Sequence, residues 1–433
     1  MSRCVIRGGR VIDPASDRDA IGDVWLDDGV IASGPLEGDL DDEWDASGKI
    51  VCPGLIETQA TLQEPGWDDD ETIASGTAAA VAGGVTSVAC LPETQPVVDN
   101  RAAVEFIRQQ AERAGACHVF PLGAVTKNRD GQELAEIGQL VEGGAVALSD
   151  GKRPVANAEV MRRALEYARM FGRRIFHHSQ VPELVAGGVM HEGLYSTLLG
   201  LGGMPAEAEE IMVARDVALA EMTGGSLHLM TISTAASVDI LRRAKQRGVD
   251  VTGSVTPHHL VLTDAELQSF DANCKVDPPL RSSEHVEALV EGLVDGTIDV
   301  ICSDHRPVPA EEKDLELDVA PFGIVGLETL LPLCVRALID SERLDWPSLI
   351  ALLTSGPARV LGVEAGSLAE GCVADVIVID PDAEWTIDPA KFRSRCSNSP
   401  FAGWQVRGRV ETVFVDGQRV FSVESVETVE DDG

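Results

Sequence analysis

Gln59 and Thr61 stand two residues apart in the stretch VCPGLIETQATLQEPG, residues 51–66. On a strand, residues two apart point the same way, so these side chains face one point. An H-x-H pair at that spacing would bring two imidazoles to one metal ion. Here the positions hold an amide and a hydroxyl. Neither offers the neutral imidazole nitrogen, thiolate or carboxylate that a transition metal prefers. Other groups able to do chemistry follow downstream: Glu93, the run Ser149-Asp150-Gly151, His178, His228 and Thr231, the pair His258-His259, and Asp304-His305. A site can be sketched from His178, Asp304, Asp150 and His259. Hydrolysis of an amide needs a metal hydroxide or an activated nucleophile, with an open coordination position in the first case. No Ser-His-Asp or Cys-His pattern supplies the nucleophile.

The elements around these residues alternate. Residues 1–50 suggest small antiparallel strands at Cys4–Ile12, Asp23–Leu26 and Val30–Ala32, with turns at Asp13-Pro14 and Asp28-Gly29. From about residue 51, apolar strands alternate with helical stretches roughly eight times, which argues a parallel (β/α)8 barrel. Each group named above, except His228 three residues before Thr231, then falls at the C-terminal end of a strand, where such a barrel places its active site. After Gly356-Pro357 short strands return, with Asp416-Gly417 as a hairpin turn. The expected division is a composite β-sandwich from 1–52 and 364–424, a barrel over 53–363, and an acidic tail over 425–433, expected to be disordered.

The chain has 433 residues, 44% of them hydrophobic and 4% aromatic, so its core should be Val, Leu, Ile and Ala. No apolar run of about 18 residues occurs, so no membrane span is expected, and the N-terminus lacks a signal-peptide pattern. Nine Cys without CxxC pairing suggest reduced thiols in a cytoplasmic protein. Cys52, Cys90 and Cys302 sit at strand ends without ligand spacing and read as small hydrophobes. The net charge is −36, and only 7 of 35 basic residues are Lys. Such a surface repels nucleic acid and anionic membranes. An acid-rich, Lys-poor surface also suits a salt-rich cytoplasm, where counter-ions screen self-repulsion.

Several segments carry a family resemblance. PGLIETQATLQEPG resembles PGLIDxHVHLREPG of the dihydroorotases, members of the amidohydrolase superfamily. AVAGGVTSVACLPETQPV, VTPHHLVLTD, KVDPPLRS, CSDHRP and SNSPFAGWQVRGRVETVFVDG are similar to further segments of that family, so the match covers about residues 1–421. The resemblance implies a zinc enzyme of pyrimidine biosynthesis that interconverts carbamoyl aspartate and dihydroorotate. Its ligands are two His on barrel strand one, a bridging carboxylate, and one His each on strands five and six. Carried onto this chain, they fall on Gln59, Thr61, Gly151 (with Asp150 one position off), His178 and Thr231. Only His178 survives, together with Asp304 as the acid/base.

The implied substrate contacts are depleted as well. The guanidinium that clamps the substrate carboxylate falls on Gln63, two Asn fall on Glu93 and Asp277, and a loop His falls on Val308. Glu93 and Asp277 would set negative charge against a dianionic substrate. Phe322 and Gly323 of the covering loop match. Each survivor also has a plain structural reading. His178 would be a buried imidazole with one hydrogen bond, and Asp304 an ion-pair partner of Arg306 or His305. His258 and His259 would secure the end of strand seven, and His228 would pack inside the barrel.

His178-Ser179-Gln180, VMHEG at 189–193 and LGLGGMPAEAE at 199–209 resemble a subfamily without catalytic residues. That resemblance implies a non-catalytic scaffold partner of the aspartate carbamoyltransferase catalytic subunit, a homodimer within a larger hetero-oligomer, without a cofactor. The alternatives are an active zinc-dependent dihydroorotase or related cyclic amidohydrolase, and a small-molecule binding module that uses the emptied pocket.

Overall fold

The computed structural model describes residues 3–36 and 38–423. The expected acidic tail at 425–433 lies outside the described residues. Two eight-stranded sheets organise the chain.

The first sheet comes from both chain ends. Its strands are β1 (Arg3–Asp13), β2 (Arg18–Asp27), β3 (Val30–Ala32), β4 (Asp42–Asp45) and β5 (Ile50–Pro53) from the front. The second begins with β6 (Leu55–Ala60) and continues through β7 (Val85–Cys90), β8 (His118–Gly123), β9 (Ala147–Ser149) and β10 (Ile175–His177). A small separate pair follows, β11 (Met190–His191) and β12 (Gly203–Met204). β13 (Leu227–Leu229), β14 (Val251–Val255) and β15 (Val300–Ile301) complete the second sheet. β16 (Val376–Thr386), β17 (Gln405–Val415) and β18 (Gln418–Ser422) return to the first.

In the first sheet the order is β18-β17-β16-β5-β1-β2-β3, with β4 also on β1. The three expected strands pair antiparallel, β1 with β2 and β2 with β3, while β4 and β5, for which the sequence carried no expectation, pair parallel with β1. The connection from β3 to β4 lets the chain re-enter in the same direction, which a tight hairpin cannot do. The Asp416-Gly417 turn forms as expected. Both residues take positive φ, 49° and 70°, as a two-residue turn matched to strand twist requires.

The second sheet runs β6-β7-β8-β9-β10-β13-β14-β15, all parallel. It is the expected amidohydrolase-type (β/α)8 architecture. β6 and β15 meet through side-chain and rim bonds. Thr61 N–H donates to the His305 carbonyl at 2.9 Å, and the Glu57 carboxyl accepts from Ser303 N–H at 2.6 Å. The strand interior packs Ile56, Leu122, Phe176, Met230 and Cys302. The helices start where polar caps sit: Asn100 before 101–114, Asn157 before 158–170 and Thr234 before 235–246, each accepting from a first-turn N–H. The helical stretch after residue 326 changes its winding: a 3-10 turn at Leu327–Thr329, an α segment at Leu330–Cys334 and a π turn at Val335–Ile339. Pro332 lacks the N–H a continuous helix would use there. All nine Cys are free, and Cys52, Cys90 and Cys302 are buried as expected.

Candidate functional site at the barrel mouth

At the C-terminal rim, the strand-one and strand-six positions meet each other. Gln59 Nε2 donates to Thr231 Oγ1 and, at 3.1 Å, to Asp304 Oδ1. The second oxygen of Asp304 is taken by Lys152, whose Nζ donates to Oδ2 at 2.8 Å and to the Asp277 carbonyl at 2.7 Å. These two side chains are 12% and 9% exposed, so the pair is largely withdrawn from water. Asp304 is therefore paired with Lys152, not with Arg306 or His305. His305 faces Glu71 at 3.4 Å, and Arg306 pairs with Glu93.

Three rim residues without a glycine's freedom hold left-handed backbone: Gln63 (φ 61°), Thr231 (φ 46°) and Asp304 (φ 51°). Such conformations are costly, most of all for a β-branched residue, and they gather at functional sites.

His178 is 2% exposed. Its Nε2 lies 3.4 Å from Asp277 Oδ2, yet neither ring nitrogen makes a hydrogen bond, which corrects the single bond expected of it. Burial works to raise Asp277, but His178 and Lys152 bring its carboxyl well below the usual range. Glu93 is also buried, and Arg306 and Arg129 overcome that burial to hold it down to about 2. The negative charges foreseen against a dianionic substrate are thus neutralised from within the protein.

Asp150 does not join the mouth. Its carboxyl accepts from Val125 N–H at 2.8 Å, Thr126 N–H at 3.0 Å and Thr126 Oγ1 at 2.5 Å, and burial raises its pKa. The sketched site of His178, Asp304, Asp150 and His259 therefore fails. Asp150 secures the end of β8. His259 donates and accepts locally, with Nδ1 2.6 Å from Thr256 Oγ1 and Nε2 3.0 Å from the Pro278 carbonyl. That matches the structural role expected for it. His258 Nε2 is buried without a partner; burial, helped by Lys152, lowers this imidazole to about 3 and keeps it neutral. His228 packs on Phe176 inside the barrel, as expected, with Nδ1 2.8 Å from Thr252 Oγ1.

Gly151 holds φ +59°, and a Cβ there would meet Glu93 Oε1 at 2.2 Å. The position implied for a bridging carboxylate is thus closed to any side chain while Glu93 stays. Gln63 Nε2 donates to the Pro307 carbonyl at 3.3 Å, so it fastens the rim. Val308 is buried, and its N–H donates to Asn398 Oδ1 at 3.1 Å. Phe322 stacks on the Lys275 ammonium at 4.6 Å, and Gly323 (φ 141°) lies against the Arg306 stem. Lys152, His258, Asp277, Asp304, Arg306 and Phe322 border a cavity of about 310 Å³.

The residues do not fit the implied zinc. Of the five ligand positions only His178 carries a donor of the right kind, and an ammonium sits on Asp304. Sequence reasoning missed Lys152, Arg129 and Asn398. One signal was present for the first: a lysine immediately after Gly151 in a chain with so few of them.

Comparison with known proteins adds the following. A family model described as Dihydro-orotase-like matches residues 48–237, and one described as Amidohydrolase family matches 323–421. A protein named Dihydroorotase from Pelotomaculum thermopropionicum is 49% identical, with 96% of this chain and 98% of that protein covered. One of the same name from Geobacter sp. (strain M21) is 47% identical, with 96% and 99% covered. Among solved structures, the L-hydantoinase (dihydropyrimidinase) of Arthrobacter aurescens superposes with a TM-score of 0.88 at 24% identity, covering 98% of this chain and 96% of its own. The D-hydantoinase of a Thermus species gives 0.83 at 23% identity, covering 97% and 96%. At such identities the structures speak to fold alone. No helix among the described residues is long and apolar enough to cross a membrane.

Proposed function

The chain belongs to the dihydroorotase family, and we propose that it serves that family's pyrimidine pathway as a non-catalytic subunit, a cytoplasmic scaffold for the aspartate carbamoyltransferase catalytic subunit. The observation that carries the loss of catalysis is the Lys152 ammonium on Asp304. A cation tethered to the chain occupies the carboxylate that the resemblance assigns as acid/base. The amide and hydroxyls at 59, 61 and 231 cannot replace imidazoles around a metal. The partner rests on the resemblance of His178-Ser179-Gln180 and residues 189–209 to the subfamily that scaffolds the carbamoyltransferase.

A second reading is an active zinc-dependent dihydroorotase or related cyclic amidohydrolase. It is favoured by the full-length relatives at 49% and 47% identity that bear the name Dihydroorotase. On similarity alone that reading has the better support. The side chains at the mouth weigh against it, because family likeness is spread over the whole chain while hydrolysis depends on a handful of positions.

Two measurements separate them. Purified protein supplied with zinc should not interconvert carbamoyl aspartate and dihydroorotate; turnover that Asp304→Asn abolishes overturns the proposal. Co-expressed carbamoyltransferase should migrate with this chain as one large species and lose assembly without it. A carbamoyltransferase that assembles and works normally alone removes the scaffold role.

A further inference from the structure

We propose a divalent transition-metal site at the seam between the barrel and the sheet built from the chain ends, formed by His118, Asp375 and Asp416, remote from the mouth. His118 opens β8 at the N-terminal end of that strand, Asp375 immediately precedes β16, and Asp416 is the first residue of the turn between β17 and β18. Among the described residues these are the three His, Cys, Asp or Glu side chains whose ligand atoms gather within 4.8 Å of one another.

The spacing is that of a ligand set. Two donors each about 2.1 Å from one ion, at tetrahedral or octahedral angles, lie about 3.0–3.4 Å apart. His118 Nε2 is 3.1 Å from Asp375 Oδ2 and 3.7 Å from Asp416 Oδ1, so one pair is already placed and the other needs a small closing movement. The Asp375 carboxylate is also held in place. Asp416 N–H donates to Asp375 Oδ1 at 3.1 Å, which orients Asp375 and leaves its Oδ2 toward the imidazole.

The charge balance points the same way. Two carboxylates and one imidazole leave the cluster net negative in either protonation state of the histidine, and a dication offsets that. The Asp375 side chain is 9% exposed while that of Asp416 is 61% exposed. The site is therefore closed on the protein side and open to water on the other, onto a groove of about 540 Å³ that Arg108 and Glu112 also border. Arg108 is turned to the Gly143 carbonyl. One imidazole with two carboxylates is a donor set for zinc, cobalt or manganese more than for calcium, which takes six to eight oxygens. An ion there would clamp three segments that are 257 and 41 residues apart.

The test uses the full-length protein, stripped with a chelator, and zinc alone as the probe, read by calorimetry and bound-metal analysis. About one zinc per chain is expected. His118→Gln and Asp416→Asn should each weaken binding by at least the ~10-fold that loss of a ligand's supporting group costs and remove the rise in Tm that zinc gives the parent, while Asp304→Asn leaves binding unchanged. Should the parent bind no zinc, or should both seam variants bind it as the parent does, the cluster is only an ion pair and the inference is overturned. Zinc lost with Asp304→Asn but kept in His118→Gln would overturn the non-catalytic reading as well, so the two failures are distinguishable.

Discussion

The ammonium of Lys152 lies 2.8 Å from Oδ2 of Asp304, on the carboxylate that Gln59 also binds through Oδ1. Removing one member of a buried pair strands the other, which costs more than removing both. Lys152→Met should destabilise the fold by about 2–4 kcal/mol, and Asp304→Asn in the same background should recover most of that loss. Urea unfolding of the four proteins measures the coupling. Additive losses would mean that the contact carries no energy.

The difference between what the sequence showed and what it hid follows from this pair. The barrel was legible because strand and helix periodicity repeats along the chain, and a sheet built from the chain ends because short strands recur at both ends. The empty ligand positions at 59, 61, 151 and 231 were legible because each is a residue type at a motif position. Lys152 was not, because its reach to Asp304 spans 152 residues of sequence and no motif links them. The failure of Asp150 as a site residue was hidden for the same reason: its partners are backbone N–H groups of the neighbouring strand end, which carry no side-chain signature.

Glu93 gives a prediction on the acid side. Burial opposes its ionisation, yet Arg306 and Arg129 hold it at about 2, below the ordinary 4.5. A carboxyl depressed in the folded state adds stability above the unfolded value and loses it as pH falls toward the folded one. Glu93→Gln should therefore narrow its stability gap to the parent between pH 4.5 and 2, from roughly 3 kcal/mol at most. Chemical denaturation at pH 3 and pH 6 tests it, and a gap that does not change with pH refutes it.

Glu328 gives the opposite slope. Its carboxyl accepts from Arg393 N–H at 2.7 Å and Ser394 N–H at 3.3 Å. Burial above all, aided by the charge of Glu71, still lifts it to about 7. The folded state then binds this proton more tightly than the unfolded state. Stability from this group is complete below about pH 4.5 and is lost as pH rises through 7. Glu328→Gln should remove that decline, worth on the order of 1–3 kcal/mol. Melting curves of both proteins from pH 5 to pH 8 should diverge; parallel curves would show that the carboxyl ionises normally.

Placing imidazoles at these positions tests whether the ligand types alone would keep a metal out of the mouth. The triple change Gln59→His, Thr61→His and Thr231→His supplies three donors beside His178, but the Lys152 ammonium still sits on Asp304. Electrostatic repulsion between that ammonium and an incoming dication, at low effective dielectric, works against binding. With the seam silenced by His118→Gln, the triple variant should retain no zinc, and adding Lys152→Met should raise bound zinc to about one per chain. A bridging carboxylate cannot be added simply, because a Cβ at Gly151 meets Glu93 Oε1 at 2.2 Å on a backbone at φ +59°. Gly151→Asp should therefore destabilise the fold unless Glu93 is shortened with it. Bound-metal analysis decides the first point. Zinc held by the triple variant with Lys152 intact would show that the ammonium does not guard the site.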